Sequence, residues 1–356
     1  MVQQIYNEDC LAGMRNLPDN SVDCIITSPP YWGLRHYETD PQVWGGSEHC
    51  EHVWEEAIAA GSMKNRPTVH VCKVCKAYLG ELGLEPTKDM YIEHLCSVFD
   101  EAYRVLKSTG TCFINLGDSY YNGYGKGGVL KKSLLLMPER LAIAMCDRKW
   151  ILRNNIIWHK PNQMPCACTD RFIKDYENIL FFSKSKKYFF EKQTEESVAD
   201  WAKKQSDGKV IQRTKREVWS INTVGNTNGH FAKYPEEIVQ IPLDAGCPAY
   251  ICEKCGSPKK KVYEKIGEFQ RRWSTKNEDG SPYSNHGSMQ NIYEESGYKE
   301  TCSCDVGFVP GLVLDPFMGS GTTALVAKKN NRQFIGFELN KDYTNNAKQR
   351  LEDKND

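Results

Sequence analysis

Short runs of β-branched and aromatic residues recur along the chain, and each breaks into polar residues at its carboxyl end. Ile5-Tyr6-Asn7-Glu8-Asp9-Cys10 predicts a first strand ending in two acids, followed by a helical turn through Leu11, Met14 and Leu17. Val22-Asp23-Cys24-Ile25-Ile26 predicts a buried parallel strand, and residues 111 to 119 predict another with a polar end. Further strands are expected at 150 to 159, running into the basic loop Lys160-Pro161-Asn162, and at 177 to 184, 311 to 315 and 334 to 338. Between them, Ile92, Leu95, Val98, Phe99, Ala102 and Leu106 share one side of a helix from about 90 to 106, ended by Lys107-Ser108-Thr109-Gly110. Helices are also expected around 134 to 146, from Tyr234-Pro235-Glu236 onward and at 322 to 327, with a mobile glycine-rich loop at 123 to 128. Strands alternating with helices predict an α/β fold with a mostly parallel sheet.

Open sheets of this kind place their chemistry at the carboxyl ends of the strands. Thr27-Ser28-Pro29-Pro30-Tyr31-Trp32 stands at such an end. Two prolines stiffen the turn and remove two backbone donors, so its carbonyls are free to accept. The Ser28 hydroxyl and the Ser28 or Pro29 carbonyl suit an exocyclic amine, and Tyr31 offers a ring on which a planar base stacks. Ser28, Pro29, Pro30 and Tyr31 are therefore the catalytic candidates; the bland alternative is a stiff loop over a buried aromatic. Asp9 should face the same crevice, although a helix N-cap reads equally from its position.

The last segment carries a second site. Leu312-Val313-Leu314-Asp315 leads into Pro316-Phe317-Met318-Gly319-Ser320-Gly321, then the helix from Thr322, then a strand ending at Glu338. A glycine turn lets a ligand approach the backbone, and a strand-terminal carboxylate accepts both hydroxyls of a ribose, as in half of a Rossmann-like sheet. The turn lacks the G-x-G-x-x-G form and a Walker lysine, which favours a compact nucleoside such as S-adenosylmethionine over a dinucleotide or triphosphate. The remaining strands of that half are best supplied by residues 5 to 9 and 22 to 26, giving a circularly permuted motif order with the amine-binding turn first and the cofactor turn last.

Charge changes this picture little: 46 basic and 46 acidic residues cancel to +0, so any nucleic-acid surface must be local. No apolar run reaches membrane-spanning length and no signal-peptide profile opens the chain, so a soluble, cytoplasmic protein without membrane contact is expected. Cysteine changes it more. Fifteen cysteines, an odd number, include Cys50 and His52 with Cys72 and Cys75, and Cys252 and Cys255 with Cys302 and Cys304, each a tetrahedral ligand set for structural zinc. His49 or His70 could replace His52, unliganded cysteines are the alternative, and the stretch between the second set's pairs reads as a polar loop of low order. Residues 191 to 230 lose the strand and helix rhythm and carry Lys203, Lys204, Lys209, Arg213, Lys215 and Arg216 with Trp201 and Trp219. This is either a DNA-contacting segment or a solvated linker.

Taken together the motifs resemble the permuted β group of DNA amino-methyltransferases, which modify cytosine N4 or adenine N6 with S-adenosylmethionine. The resemblance rests on Thr27 to Trp32, Asn115 to Ser119, Arg153 to Asn162, Asp170-Arg171-Phe172, His230 to Glu236 and Asp315 to Thr323, in the family's order across nearly the whole chain. It implies a Rossmann-like methyltransferase sheet with zinc-binding insertions, divided as follows: catalytic core at 1–46 and 81–190, insertion at 47–80, target-recognition segment at 191–230, cofactor-binding core at 231–246 and 305–356, and second insertion at 247–304. It implies S-adenosylmethionine held by Asp9, near the adenine amine, with Asp315, Phe317, Gly319, Gly321, Thr322 and, at the ribose, Glu338. It implies double-stranded DNA held by Trp32, Lys160, Asn162, Arg171, Arg213 and Lys215, with the base flipped out. A cognate restriction endonuclease at the system level goes with the family, as does a monomeric or dimeric state. Serine at position 28 goes with cytosine N4, adenine N6 being the alternative. An RNA or protein methyltransferase, or a non-catalytic zinc DNA-binding protein, are the rival classes.

Overall fold

The computed structural model describes residues 2–61, 67–121, 123, 129–196, 212–224, 234–273 and 286–353. Its centre is an eight-stranded sheet. In chain order the strands are β1 (Gln3–Tyr6), β2 (Val22–Thr27), β3 (Leu106–Leu116), β4 (Ile151–His159), β5 (Tyr176–Ser183), β6 (Val218–Ser220), β7 (Leu312–Asp315) and β8 (Gln333–Phe337). They lie in the order β1-β8-β7-β2-β3-β5-β4-β6. Pairing is parallel from β1 through β3 and again between β4 and β6, and antiparallel on both sides of β5. The N-terminal strands thus pair with the C-terminal ones: β1 with β8 and β2 with β7.

Both faces of the sheet are covered, which explains why β2 is buried at all six positions. Alternate residues go to opposite sides. Ile25, Cys112 and Ile114 join one core cluster with Leu95, Phe99 and Ala102 of helix α2 (Lys88–Val105) and Leu141 and Met145 of α3 (Met137–Asp147), while a short α1 (Cys10–Arg15) precedes them. Cys24, Ile26 and Phe113 join the other with Ile238, Val239 and Leu243 of α4 (Glu236–Gly246). Phe113 faces Phe181 across the ladder with ring centroids 4.4 Å apart. Helices α5 (Thr322–Lys329) and α6 (Lys341–Glu352) close the C-terminal part. Among the described residues no helix is long and apolar enough to cross a membrane.

Several elements differ from the sequence pattern. Lys107 to Gly110 do not form a break: α2 stops at Val105 and β3 starts at Leu106, because Lys107 pairs with Asp23 at 2.6 Å beside the neighbouring strand. The first strand stops at Tyr6, and Asp9 caps α1 by accepting from the Ala12 N–H at 2.9 Å. Within 191 to 230, Val218–Ser220 is an edge strand of the main sheet, while residues 203, 204 and 209, Trp201, the loop at 124 to 128 and residues 230 to 233 lie outside the described set. Helix α6 was not anticipated, since its surface is polar and only Thr344 and Ala347 are buried.

The chain divides into two compact units. The larger holds residues 1–191, 217–248 and 310–356. It includes a four-stranded antiparallel sheet from Gln42–Trp44, Trp54–Ile58, Thr68–Cys72 and Tyr78–Gly80, whose Trp44, Val69 and Tyr78 belong to the main core cluster. The smaller holds 192–216 and 249–309. There the expected polar loop is a long hairpin, Lys260–Trp273 against His286–Lys299. A cross-strand ladder gives those polar residues regular structure, and no apolar period was there to announce it.

Candidate active site

A cavity of about 320 Å³ opens at the carboxyl ends of the central strands and is lined by residues of both predicted sites, among them Asp9, Ser28 to Tyr31, Phe317, Gly319, Thr322 and Glu338. The two sites meet because β2 and β7 are adjacent. The Thr27 hydroxyl, at the end of β2, donates to Asp315 at the end of β7 at 2.6 Å, fastening the amine-binding turn to the cofactor turn.

The turn after β2 is held from three sides. The Pro30 carbonyl accepts from the Tyr91 hydroxyl of α2 at 2.8 Å. The Tyr31 hydroxyl donates to Glu177 Oε2 at 2.7 Å and accepts from Asn115 Nδ2 at 2.8 Å, while the same Asn115 nitrogen lies 2.9 Å from Glu177. Lys160 closes the group by pairing with the other Glu177 oxygen and lying 4.4 Å from the Trp158 ring centroid. Burial, together with the nearby Glu177 charge, holds the Tyr31 phenol well above its ordinary range, so it remains a neutral donor. Gly117 is required here, since a Cβ would stand 2.5 Å from Tyr31 Cε2. Ser28, partly buried, lies 3.5 Å from the Tyr31 hydroxyl and is the turn's most lightly held polar side chain.

At the cofactor end Glu338 follows β8 and is braced by two backbone donors, Gly319 N–H to Oε2 and Asn340 N–H to Oε1, both at 2.8 Å. Burial pushes its carboxyl up to about 7. Each oxygen keeps a further lone pair for a hydroxyl donor. Gly319 has φ +54 and an added Cβ would meet nothing closer than the Phe317 carbonyl at 4.0 Å, so the backbone is bare where a ligand would approach. Tyr37, Arg35 and Tyr343 complete this end of the lining.

Three expectations, for Asp315, Gly321 and Trp32, are corrected by the geometry. Asp315 does not face the cavity: fully buried, it accepts from Thr27, from Thr323 at 2.6 Å and from the Phe317 N–H at 3.0 Å, so it ties the turn together from behind. Gly321 likewise stands behind the lining, as the left-handed residue before α5, with Ala347 Cβ 2.7 Å from where its own Cβ would be. Trp32 is no DNA contact, because its indole is buried in the core and donates to the Glu85 carbonyl at 2.9 Å. Lys160 points into the cavity toward Glu177, and both ends of the Asn162 amide hold Thr223, at 2.8 Å to its N–H and 3.0 Å to its carbonyl. Of the other DNA candidates, Arg171 is exposed and lies 3.9 Å over the Tyr120 ring, Arg213 pairs with Glu195 at 3.0 Å in the smaller unit, and the Lys215 N–H donates to the Gln193 carbonyl.

Residues that sequence reasoning left out of the site are Asn115, Glu177 and Tyr234. Asn115 and Tyr234, whose hydroxyl lies 2.8 Å from that of Thr323, stand within the motifs Asn115 to Ser119 and His230 to Glu236 without having been singled out, and Glu177 was signalled only by polarity at the end of an otherwise apolar strand.

Both cysteine sets converge. Cys50, His52, Cys72 and Cys75 present their ligand atoms within 4.8 Å of one another, as do Cys252, Cys255, Cys302 and Cys304. In the first set the histidine is His52, with its Nδ1 3.4 Å from Cys75 Sγ.

The chain is similar to known proteins in sequence and in fold. A family model described as DNA methylase matches residues 22–249 and 302–349. The type II methyltransferase M.XycI of Xanthomonas campestris pv. cyanopsidis is 28% identical over 374 residues, covering 99% of this chain and 88% of its own. The solved PvuII DNA methyltransferase, cytosine-N4-specific, shares the fold with a TM-score of 0.55 at 16% identity, over 100% of this chain and 88% of that one. A Thermus thermophilus protein solved in complex with S-adenosyl-L-methionine matches with a TM-score of 0.50 at 18% identity, over 98% of this chain and 93% of that one.

Proposed function

The chain belongs to the DNA methylase family, and we propose that this DNA amino-methyltransferase transfers the methyl group of S-adenosylmethionine to N4 of a cytosine flipped out of duplex DNA. The observation that carries the reading is the shared cavity: the amine-binding turn at Ser28 to Tyr31 and the cofactor turn at Phe317 to Gly319, with Glu338, line one space. Glu338 suits the ribose hydroxyls, Gly319 and Phe317 the close backbone approach, Thr322 the start of α5 and Asp9 the adenine amine, with Asp315 and Gly321 shaping the turn from behind. When bound, S-adenosylmethionine supplies an electrophilic methyl group. Ser28 Oγ and the Pro29 carbonyl accept the two N–H bonds of the base amine, which draws its lone pair out of conjugation and aims it at the methyl carbon. The nitrogen takes the methyl group as the methyl–sulfur bond breaks and its electron pair returns to sulfur, leaving a neutral thioether; the proton then passes from the nitrogen to solvent, so no strong base is needed. Tyr31 is the surface on which the extruded base stacks. Serine at position 28, neutral and small, favours cytosine.

The pairing of β1 with β8 and β2 with β7 supports the permuted motif order. The converging quartets suit two structural zincs with no open position for water, and elemental analysis should give two zincs per chain; one or none would remove one or both sites. The type II relatives support a restriction–modification setting with a cognate endonuclease. Tritium transfer from labelled S-adenosylmethionine to duplex DNA, RNA and bulk protein tests the substrate class: label in DNA is expected, and label confined to RNA or protein would overturn the reading. Binding to DNA should also weaken as salt rises, through release of phosphate counterions.

A further inference from the structure

Residues 161–175 join β4 to β5, and the neck of this loop is closed by the Lys160 N–H donating to the Asp175 carbonyl at 2.7 Å. The neck is the rim of the cavity: Lys160 and Glu177 line it, and so does Thr223, which Asn162 holds. The loop itself is pinned. Asp170 takes the Lys132 ammonium at 2.6 Å, the Arg171 guanidinium lies over Tyr120 and donates to the Phe172 carbonyl at 3.2 Å, and Lys174 stands 4.3 Å from the Tyr176 ring centroid.

Between these fastened neighbours Phe172 is 95% exposed, with Ile173 and Met164 also exposed. A phenylalanine forgoes favourable burial by standing in water, and here the residues on both sides hold it there. The cation exposed beside it in sequence is Arg171, a side chain of the kind that meets phosphates, while Lys132 is paired with Asp170 and Lys174 is mostly buried 3.9 Å from Asp118. A flat apolar ring beside an exposed arginine, on a loop whose neck forms the rim of the cavity, matches one partner, the interior of a duplex stack. Apolar side chains enter base steps once the stack is opened, and extrusion of the target base leaves such an opening.

We propose that Phe172 enters the DNA stack at the place vacated by the target base and so holds that base in the cavity. The inference rests on the base-flipping reading above. The probe is a duplex carrying the site mapped from DNA methylated by the wild-type chain, prepared fully paired or with an abasic position opposite the target base. Phe172→Ala should slow methyl transfer on the paired duplex by at least about tenfold, since opening the stack then goes uncompensated. On the abasic duplex, where the target base is unpaired, the variant should approach the wild type. Phe172→Trp, which keeps a flat ring, should retain most of the paired-duplex rate. Unchanged affinity for S-adenosylmethionine by calorimetry shows that the variants are folded. Equal rates for Phe172→Ala and wild type on the paired duplex, or an equal loss on both duplexes, would overturn the role of Phe172 alone. Absence of any transfer to DNA by the wild-type chain would overturn the reading beneath it.

Discussion

The two ends of the cavity are built by different means. At the cofactor end the parts are neighbours in sequence: Asp315, Phe317, Gly319 and Thr323 lie within one turn, and Glu338 follows the adjacent strand with its oxygens fixed by backbone N–H groups. At the amine end, Tyr31, Asn115, Lys160 and Glu177 come from four segments and hold one another through side chains. A local scaffold tolerates the loss of a side chain that only faces the ligand, and fails when the group binding its backbone is lost. A side-chain network distributes the loss of any one hydroxyl among its remaining members.

The sharpest way to break this contrast is Asp315→Ala. Three donors, two of them buried threonine hydroxyls, would lose their acceptor, and urea unfolding should show destabilisation of about 3 kcal/mol or more; a loss under about 1 kcal/mol would mean the turn is held by other contacts. Glu338→Ala comes next. It should weaken S-adenosylmethionine binding by about tenfold to a hundredfold, the worth of hydrogen bonds to a charged acceptor, and, since the Gly319 and Asn340 N–H groups lose their acceptor, it should also lower stability, by less than Asp315→Ala; calorimetry on the folded variant showing wild-type affinity would remove Glu338 from the site. The same carboxyl gives a pH signature. With burial raising it to about 7, it is protonated below that pH and charged above it. Ribose hydroxyls donate better to the charged form, so cofactor affinity should rise as pH increases through about 7 and level off above, and Glu338→Gln should flatten this profile.

How much of this was legible in the chain follows the same division. The strand, glycine turn and helix at 312 to 329 carry their own signals, because the left-handed glycines and the apolar run are local requirements, and so the cofactor end could be read from sequence. Asn115 and Glu177 were invisible as partners, since their meeting depends on β3 and β5 pairing antiparallel in one particular register. Trp32 misled for a related reason: an aromatic after a functional turn reads as a ligand contact until the Glu85 carbonyl that takes its N–H is located. The sequence of the long hairpin in the smaller unit has no apolar period to signal it. Each quartet was legible as a whole from the spacing of its two pairs, and the fold brings Cys50 and His52 back to Cys72 and Cys75.

The amine end yields smaller effects. Ser28→Ala should lower kcat by about tenfold with KM for DNA nearly unchanged, because its hydrogen bond strengthens as the nitrogen gains charge; full turnover would take the hydroxyl out of the mechanism. Tyr31→Phe should cost least, about 1 kcal/mol of stability by thermal or urea unfolding, because the ring still stacks and Asn115 still reaches Glu177. A larger loss of activity than of stability in that variant would assign the phenol a direct part in catalysis.

The union of the two ends in one reaction is tested most directly by mass spectrometry of nucleosides from duplex DNA incubated with the purified chain and S-adenosylmethionine. N4-methylcytosine is the expected product. N6-methyladenine without it would contradict the assignment of Ser28 to cytosine, and DNA left unmethylated would contradict the shared cavity as a methyl-transfer site.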